Sequence, residues 1–179
     1  MRGFTDEAVV LKKVDFGEAD RLLTLYTKNH GKIRALAKGV RRPTSRKGGH
    51  LDLLTQARIQ FHHGRNFYLA TEAKTTNSFL SLKREIKVIS KAYYLCEIVD
   101  SLCPEEQSMP FVFDLLTSTL SEFHLSSSQK VWTFEFQILK HLGFITEEKR
   151  RKRLRSYIEE IIERELKTPS FYYSLLKLG

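Results

Sequence analysis

Cysteine is nearly absent from this chain of 179 residues: Cys96 and Cys103 are the only two. Seven positions apart, they lack the paired Cys-x-x-Cys spacing of a structural zinc site, and both fall in or beside an apolar helical pattern, so buried, inert thiols are expected. No apolar run approaches the ~18 residues of a transmembrane helix. The opening Met1-Arg2-Gly3-Phe4-Thr5-Asp6-Glu7 carries no apolar h-region, so no signal peptide is visible. These absences predict a soluble, cytoplasmic protein in a reducing compartment, where a disulfide is disfavoured. A Gly-x-x-x-x-Gly-Lys-Ser/Thr loop is also missing, which argues against ATP hydrolysis. There is no internal repeat and no low-complexity linker. With 41% hydrophobic residues the chain can bury one substantial core or two small ones.

Acid is missing where base is richest. Between Lys28 and Lys47 stand Lys28, Lys32, Arg34, Lys38, Arg41, Arg42, Arg46 and Lys47, with no Asp or Glu among them. Residues 1–80 hold 15 Lys/Arg against 7 Asp/Glu, whereas residues 81–179 hold 15 against 14, so nearly all of the formal net charge of +9 lies in the first 80 residues. Such asymmetry points to a polyanion. A membrane surface would call for an amphipathic helix or a lipidation signal beside the cations, and the N-terminal segment has neither. Nucleic acid is the better partner.

Up to residue 80 the apolar pattern has period two. Short strands are predicted over Ala8–Val14, Arg21–Thr27, Lys32–Lys38, Ala57–His62 and Phe67–Ala73, joined by turn chemistry at Asp15-Phe16-Gly17, Asn29-His30-Gly31 and His63-Gly64-Arg65-Asn66. Alternation is clearest in Ile33, Ala35 and Ala37 and in Ala57, Ile59 and Phe61. Five short strands suit a small closed barrel. The longest gap, Gly39–Leu53, lies between the third and fourth strands, where the five-stranded Greek-key OB-fold inserts a helix or long loop.

Beyond residue 80 the spacing becomes helical. Stripes run through Ile86, Ile89, Tyr93, Cys96, Val99 and Leu102, then Phe111 to Phe123, Val131 to Leu142 and Leu154 to Leu166. Pro104 ends the first helix, Pro110 opens the second, Ser126-Ser127-Ser128 leads into the third and Gly143 closes it. The expected class is α+β: an OB-fold barrel over residues 1–80 followed by a helical bundle over 81–179.

Several segments then carry a specific likeness. They are Ala8-Val9-Val10-Leu11-Lys12, Asp15-Phe16-Gly17-Glu18-Ala19-Asp20-Arg21-Leu22-Leu23-Thr24-Leu25-Tyr26-Thr27, Gly31-Lys32-Ile33 and Ala37-Lys38-Gly39-Val40-Arg41-Arg42-Pro43-Thr44-Ser45-Arg46. Together they resemble the N-terminal domain of RecO, the bacterial recombination mediator family of the RecFOR pathway. Thr71-Glu72-Ala73, Ala92-Tyr93-Tyr94-Leu95, Phe134-Glu135 and Leu142-Gly143-Phe144 fit the family's helical domain more loosely. The resemblance implies an OB-fold with a helical domain, binding of single- and double-stranded DNA, annealing of complementary strands, and partnership with RecR, RecA and single-stranded DNA-binding protein. It also implies a nucleoid-associated place in the cytoplasm. Many members follow Leu-Gly-Phe/Tyr with a four-cysteine zinc module; here Ile145-Thr146-Glu147-Glu148-Lys149-Arg150-Arg151-Lys152-Arg153 takes its place, and two cysteines cannot build it.

Independently of the family, cations on the third strand and the loop after it can neutralise phosphates and release counterions, which gives affinity with little sequence information. The candidate DNA-binding residues are Lys28, Lys32, Arg34, Lys38, Arg41, Arg42, Arg46, Lys47, Arg65 and Tyr68. Stacking platforms add ~1 to 3 kcal/mol per base. Phe67 and Tyr68 are expected on opposite faces of the fifth strand, so one of them at most is available, and Tyr26 is a further candidate. Arg150, Arg151 and Arg153 form a second basic group, an auxiliary contact for DNA or for an acidic tail of single-stranded DNA-binding protein, or a solvated helix laced by Glu147–Arg151, Glu148–Lys152 and Arg155–Glu159 pairs with Thr146 as its cap. The acidic trio Asp15, Glu18 and Asp20 is expected to shape a strand connection, with Asp20 near a neighbouring Arg, rather than to hold magnesium. His62-His63 lacks a partnered carboxylate or Cys nearby in sequence, so neither a nucleophile and base nor a metal triad is evident. The reading is a DNA mediator that is not an enzyme and uses no cofactor. An RNA-binding OB-fold module is the alternative and a metal-dependent nuclease the third; matched DNA and RNA oligonucleotides separate the first two, and strand loss in magnesium would indicate the third.

Overall fold

The structure is a computed structural model and describes residues 3–123, 128–146 and 153–168. The chain forms two compact units, Met1–Phe79 with Cys103–Asp114, and Leu80–Leu102 with Leu115–Gly179.

The first unit is an OB-fold. Strands β1 (Gly3–Phe16), β2 (Asp20–Thr27), β3 (Gly31–Ala37), β4 (Gln56–His63) and β5 (Tyr68–Asn77) close into a barrel in the order β1-β2-β3-β5-β4. The pairing is antiparallel except for β3 and β5, which run parallel with Ala35 opposite Tyr68 and Leu36 opposite Leu69. Alternation decides what lies inside: Ile33, Ala35 and Ala37 of β3 and Ala57, Ile59 and Phe61 of β4 are buried in one core. β1 is longer than its apolar run because it serves two neighbours. Its first half pairs with β4 and its second with β2, and the register slips between Val10 and Lys12. That bulge bends the strand, and Val10 turns its amide to the Thr55 carbonyl and its carbonyl to the Leu54 amide, at 3.0 and 3.2 Å.

The connection from β3 to β4 carries a single 3-10 turn, Gly48–Leu51, whose Leu51 joins Val40 in the barrel core. Its basic half is a series of turns. Arg42 and Ser45 donate their amides to the Gly39 and Arg42 carbonyls at 3.2 and 2.9 Å. The start is tied to the β1–β2 turn: Asp20 accepts the Gly39 amide at 2.7 Å and Ala19 that of Arg41 at 2.9 Å. The far end is tied to β5, where the Lys47 ammonium donates to the Ala70 carbonyl at 3.1 Å. Two of the acidic trio therefore shape a connection, but it is Asp15 that meets an arginine, Arg21 at 3.1 Å, while Asp20 caps a backbone amide.

A strap, Cys103–Asp114, runs along β3 within this unit. The Glu106 amide donates to the Lys32 carbonyl at 2.8 Å, and the Lys28 ammonium meets Asp114 at 3.1 Å. Gly31 has φ +70°, and a Cβ there would fall 2.0 Å from the Gln107 carbonyl oxygen, so glycine is required both for the turn and for the strap.

The second unit is helical, with α1 (Ile86–Leu102), α2 (Pro110–Ser121, whose first residues belong to the strap), α3 (Ser128–His141) and α4 (Leu154–Ile161). α3 packs on α1 and on α4. The Tyr94 hydroxyl donates to the Glu135 carboxylate in the interior, and desolvation pushes both groups up in pKa. α3 ends in a Schellman motif: Gly143, at φ +82°, donates to the Lys140 carbonyl and Phe144 to that of Leu139, at 3.1 and 2.9 Å. The expected stripe to Leu166 is interrupted because Glu163 turns left-handed, at φ +54°. Leu166 is nonetheless buried, its amide held by Glu159 at 3.1 Å. The Arg155–Glu159 pair forms at 3.2 Å. Arg150, Arg151, the Glu147–Arg151 and Glu148–Lys152 pairs and the helix start expected after Thr146 lie outside the described residues, whereas Arg153 is exposed at the N-cap of α4 without a side-chain capping bond.

Candidate nucleic-acid interface

The basic run does not form one patch, because Lys28, Lys32 and Arg34 meet the strap. Lys28 holds Asp114 and lies 5.9 Å from the centre of the Phe113 ring, and Arg34 meets Glu105 at 2.8 Å. Lys32 is half-buried beneath the strap's backbone bridge to β3. Arg41 is exposed yet tied back to the Asp15 carboxylate at 3.5 Å and the Gly17 carbonyl at 3.3 Å.

The remaining cations come together. Lys38, Arg42, Arg46 and Lys47 line one groove of about 600 Å³ with Thr44, Ser45 and Thr71, and Glu72 is the one carboxylate on its wall. Among the described residues Lys38, Arg42 and Arg46 have no ion-pair partner. Lys47 is half-buried, and desolvation lowers its pKa against the opposing pull of Asp20. The turns that begin at Gly39 fix the backbone that carries Arg42 and Arg46, and both side chains are exposed.

Arg65 and Tyr68 belong to a second groove, of about 410 Å³, where Arg34, Phe67, Glu105 and Glu106 also line the wall. The expectation that Phe67 and Tyr68 oppose each other does not hold at this site. β5 begins at Tyr68, so strand alternation does not govern Phe67, and both residues line the groove. Tyr68 is half-buried, edge-on to Phe4 at 5.5 Å and tilted against His63 at 5.0 Å. Desolvation raises its phenol pKa, and the hydrogen-bonded Glu106 carboxylate adds to the rise. Tyr26 is not a stacking platform: it is fully buried, with its hydroxyl against the Cys103 thiol, and desolvation followed by that thiol raises its pKa.

Sequence reasoning missed Phe4, His30, Glu105 and Glu106. Phe4 stacks on His30 with ring centres 3.8 Å apart, and His30 is fixed by the buried Asp6 at 2.8 Å. Asp6 also accepts the backbone amide and side-chain amide of Asn29 at 2.9 and 2.8 Å. The available signal was Glu105-Glu106, an acidic pair directly after the Cys103-Pro104 helix stop. Cys96 and Cys103 are both buried, and burial pushes the Cys96 thiol up to about 12. Among the described residues no group of three His, Cys, Asp or Glu side chains is placed to hold a metal ion, and no helix is long and apolar enough to cross a membrane.

Comparison with known proteins identifies the family. Residues 1–79 match the family described as Recombination protein O N terminal, and residues 84–150 match Recombination protein O C terminal. A DNA repair protein RecO of Dehalococcoides mccartyi is 35% identical over 143 residues, covering 79% of this chain and 56% of that protein. One of Heliobacterium modesticaldum is 36% identical over 151 residues, 82% of this chain and 54% of its own length. One of Pelotomaculum thermopropionicum is 32% identical over 145 residues, 80% of this chain and 57% of its own. The chain thus spans little more than half the length of these relatives. With both halves matched in order, a barrel of OB topology and a helical unit after it, the chain belongs to the RecO family.

Proposed function

We propose that the chain is a DNA repair and recombination mediator that works without catalysis and without a cofactor. It binds single- and double-stranded DNA through the barrel, anneals complementary strands and helps place recombinase on DNA coated with single-stranded DNA-binding protein. RecR, RecA and single-stranded DNA-binding protein are its partners in this reading, carried by the family likeness. In this reading residues 1–80 carry the nucleic-acid domain, with the strap at Cys103–Asp114 joined to it, and the rest of 81–179 carries the helical domain.

The observation that supports it best is the groove of Lys38, Arg42, Arg46 and Lys47, four cations facing one carboxylate. Phosphates entering there displace counterions without any base being read, which suits a protein that must accept any sequence. One strand held by its backbone leaves its bases free to pair with a second. The test is annealing of complementary oligonucleotides, alone and coated with single-stranded DNA-binding protein, in buffer with and without magnesium. Acceleration in both forms with intact strands is expected; no acceleration, or shortening of the strands, would overturn the reading.

A further inference from the structure

The two grooves differ in charge although both lie along the β3–β5 seam. In the larger one the cations exceed the acids by three, whereas in the smaller one Arg34 and Arg65 are balanced by Glu105 and Glu106. Arg34 is moreover already engaged by Glu105 at 2.8 Å. A phosphate gains little from such a balanced wall, and two carboxylates would repel it. A nucleobase is neutral and flat and meets neither objection. Aromatic surface is at hand: Tyr68 in the groove, braced edge-on by Phe4, with His63 tilted against it.

We infer that the smaller groove is a pocket for one unpaired nucleobase, stacked on Tyr68 and read at its edge by Glu106, with guanine the preferred base. This rests on the nucleic-acid reading above and assigns the second groove a separate task. A carboxylate can only accept, and it carries about four lone-pair positions. Guanine presents two adjacent donors, the ring N–H and the exocyclic amine, which one carboxylate accepts together. Thymine presents one donor between two carbonyl oxygens that repel the second carboxylate oxygen, and adenine offers a single amine. The Glu106 carboxylate lies close enough to the Tyr68 phenol to add to the rise in its pKa, so both groups face the same space in the groove.

The backbone points the same way. Glu106 is a non-glycine residue in the left-handed region, φ +57°, and its backbone N–H donates a hydrogen bond to the Lys32 carbonyl at 2.8 Å. Strain of this kind persists where the surroundings fix it, and it concentrates at ligand clamps. Arg65 is exposed and has no ion-pair partner among the described residues, which leaves it for the phosphate of the bound nucleotide. From Arg34 to Ala37, the end of β3, the strand advances about 10 Å, and Lys38 follows directly. A strand lying along the seam can therefore seat a base in one groove and its neighbouring phosphates in the other.

The experiment is fluorescence anisotropy with a labelled thymidine oligomer and the same oligomer carrying one central dG, repeated with hypoxanthine, which lacks the exocyclic amine, in that position. The wild type is expected to prefer the dG oligomer by about fivefold to tenfold, equivalent to roughly 1 to 1.4 kcal/mol, with hypoxanthine between the two. Glu106→Gln is expected to abolish the preference and, by removing a carboxylate that repels phosphate, to raise affinity for the plain oligomer. Tyr68→Leu should weaken every oligomer and reduce the dG preference, since the base that Glu106 reads is the one stacked on Tyr68. Equal affinity for all oligomers in the wild type, or a preference that survives Glu106→Gln, overturns the pocket and leaves the phosphate groove standing. Failure of every oligomer to bind overturns the pocket together with the nucleic-acid reading.

Discussion

The Arg34 guanidinium lies 2.8 Å from the Glu105 carboxylate, which the strap brings back to β3 from beyond the first helix. Both side chains are about half exposed. Exposed pairs of this kind contribute about 0 to 1 kcal/mol to stability. Their larger effect is on recognition, since an arginine already facing a carboxylate loses that contact when it takes a phosphate. Lys28 with Asp114 repeats the arrangement. The open part of the basic run therefore begins at Lys38.

Charge reversal should follow that division. Arg42→Glu with Arg46→Glu is expected to weaken single-strand binding by on the order of a hundredfold, about 2.7 kcal/mol. Lys28→Ala with Arg34→Ala should cost less than about fivefold. Both pairs sit at partly or fully exposed positions, so far-ultraviolet circular dichroism should stay unchanged. Equal losses from the two variants would mean that the strap does not mask its partners.

Salt should weaken binding in proportion to the phosphates held. Four to six contacts, counted from Lys38, Arg42, Arg46 and Lys47 with Arg41 and Arg65 as additions, give a slope of log affinity on log salt of about −3 to −4, using ~0.7 per contact on single strands. Affinity would then fall by roughly 60- to 250-fold between 50 and 200 mM salt. Titrations at several salt concentrations that gave a flat response would reject a site made of cations.

The barrel was legible in the sequence because its information is local. Period-two runs such as Ile33-Arg34-Ala35-Leu36-Ala37 and the glycines at Gly17 and Gly31, both at positive φ, place the strands and two of the turns. The gap between the third and fourth strands likewise pointed to the OB-fold. What escaped depends on residues distant in sequence. The Tyr26 hydroxyl meets the Cys103 thiol, and Arg34 is paired with Glu105, from a segment whose own composition gives no periodic signal. The eight cations therefore read as a single patch, although only part of them shares the larger groove. The end of α4 was hidden in the same way. Glu97 collects the Lys167 and Thr168 amides at 2.8 Å each, so the chain leaves the helix although its apolar stripe continues.

Gly31→Ala tests the strap. A Cβ at φ +70° costs roughly 1 to 2 kcal/mol by itself, and here it would also meet the Gln107 carbonyl oxygen at 2.0 Å. The strap must shift, so the Cys103 thiol should react with a thiol reagent much faster than in the wild type while Cys96, in the helical unit, stays protected. Unchanged Cys103 reactivity in a folded variant would argue against the strap's close approach.

Annealing should survive chelation by EDTA and the double replacement Cys96→Ala with Cys103→Ala. The two thiols lie in different units, and neither is needed for the groove of Lys38, Arg42 and Arg46. Burial makes both replacements cost stability through lost packing, so melting temperature should fall while affinity at 25 °C is kept. Loss of annealing on EDTA treatment, restored by added zinc, would reopen the question of a metal.

Acid should destabilise the helical unit through Glu97. Desolvation pushes its carboxyl up, but the Lys167 and Thr168 amides and the Arg164 guanidinium together outweigh that and hold it below the usual carboxylate range. A carboxyl depressed in the fold contributes stability that is present above its unfolded pKa, about 4.3, and is lost as pH falls through the folded value. Glu135 acts in the opposite sense: desolvation raises it despite the Tyr94 hydrogen bond, so its contribution is full below the unfolded pKa and is lost as pH rises through the folded value. Melting curves between pH 3 and 7 should therefore show a steeper acid-side decline in Glu135→Gln than in Glu97→Gln. Glu97→Gln should begin less stable at pH 7 and lose less on acidification. An acid-side slope unaffected by Glu97→Gln would show that this carboxylate does not tie the segment after α4 to α1.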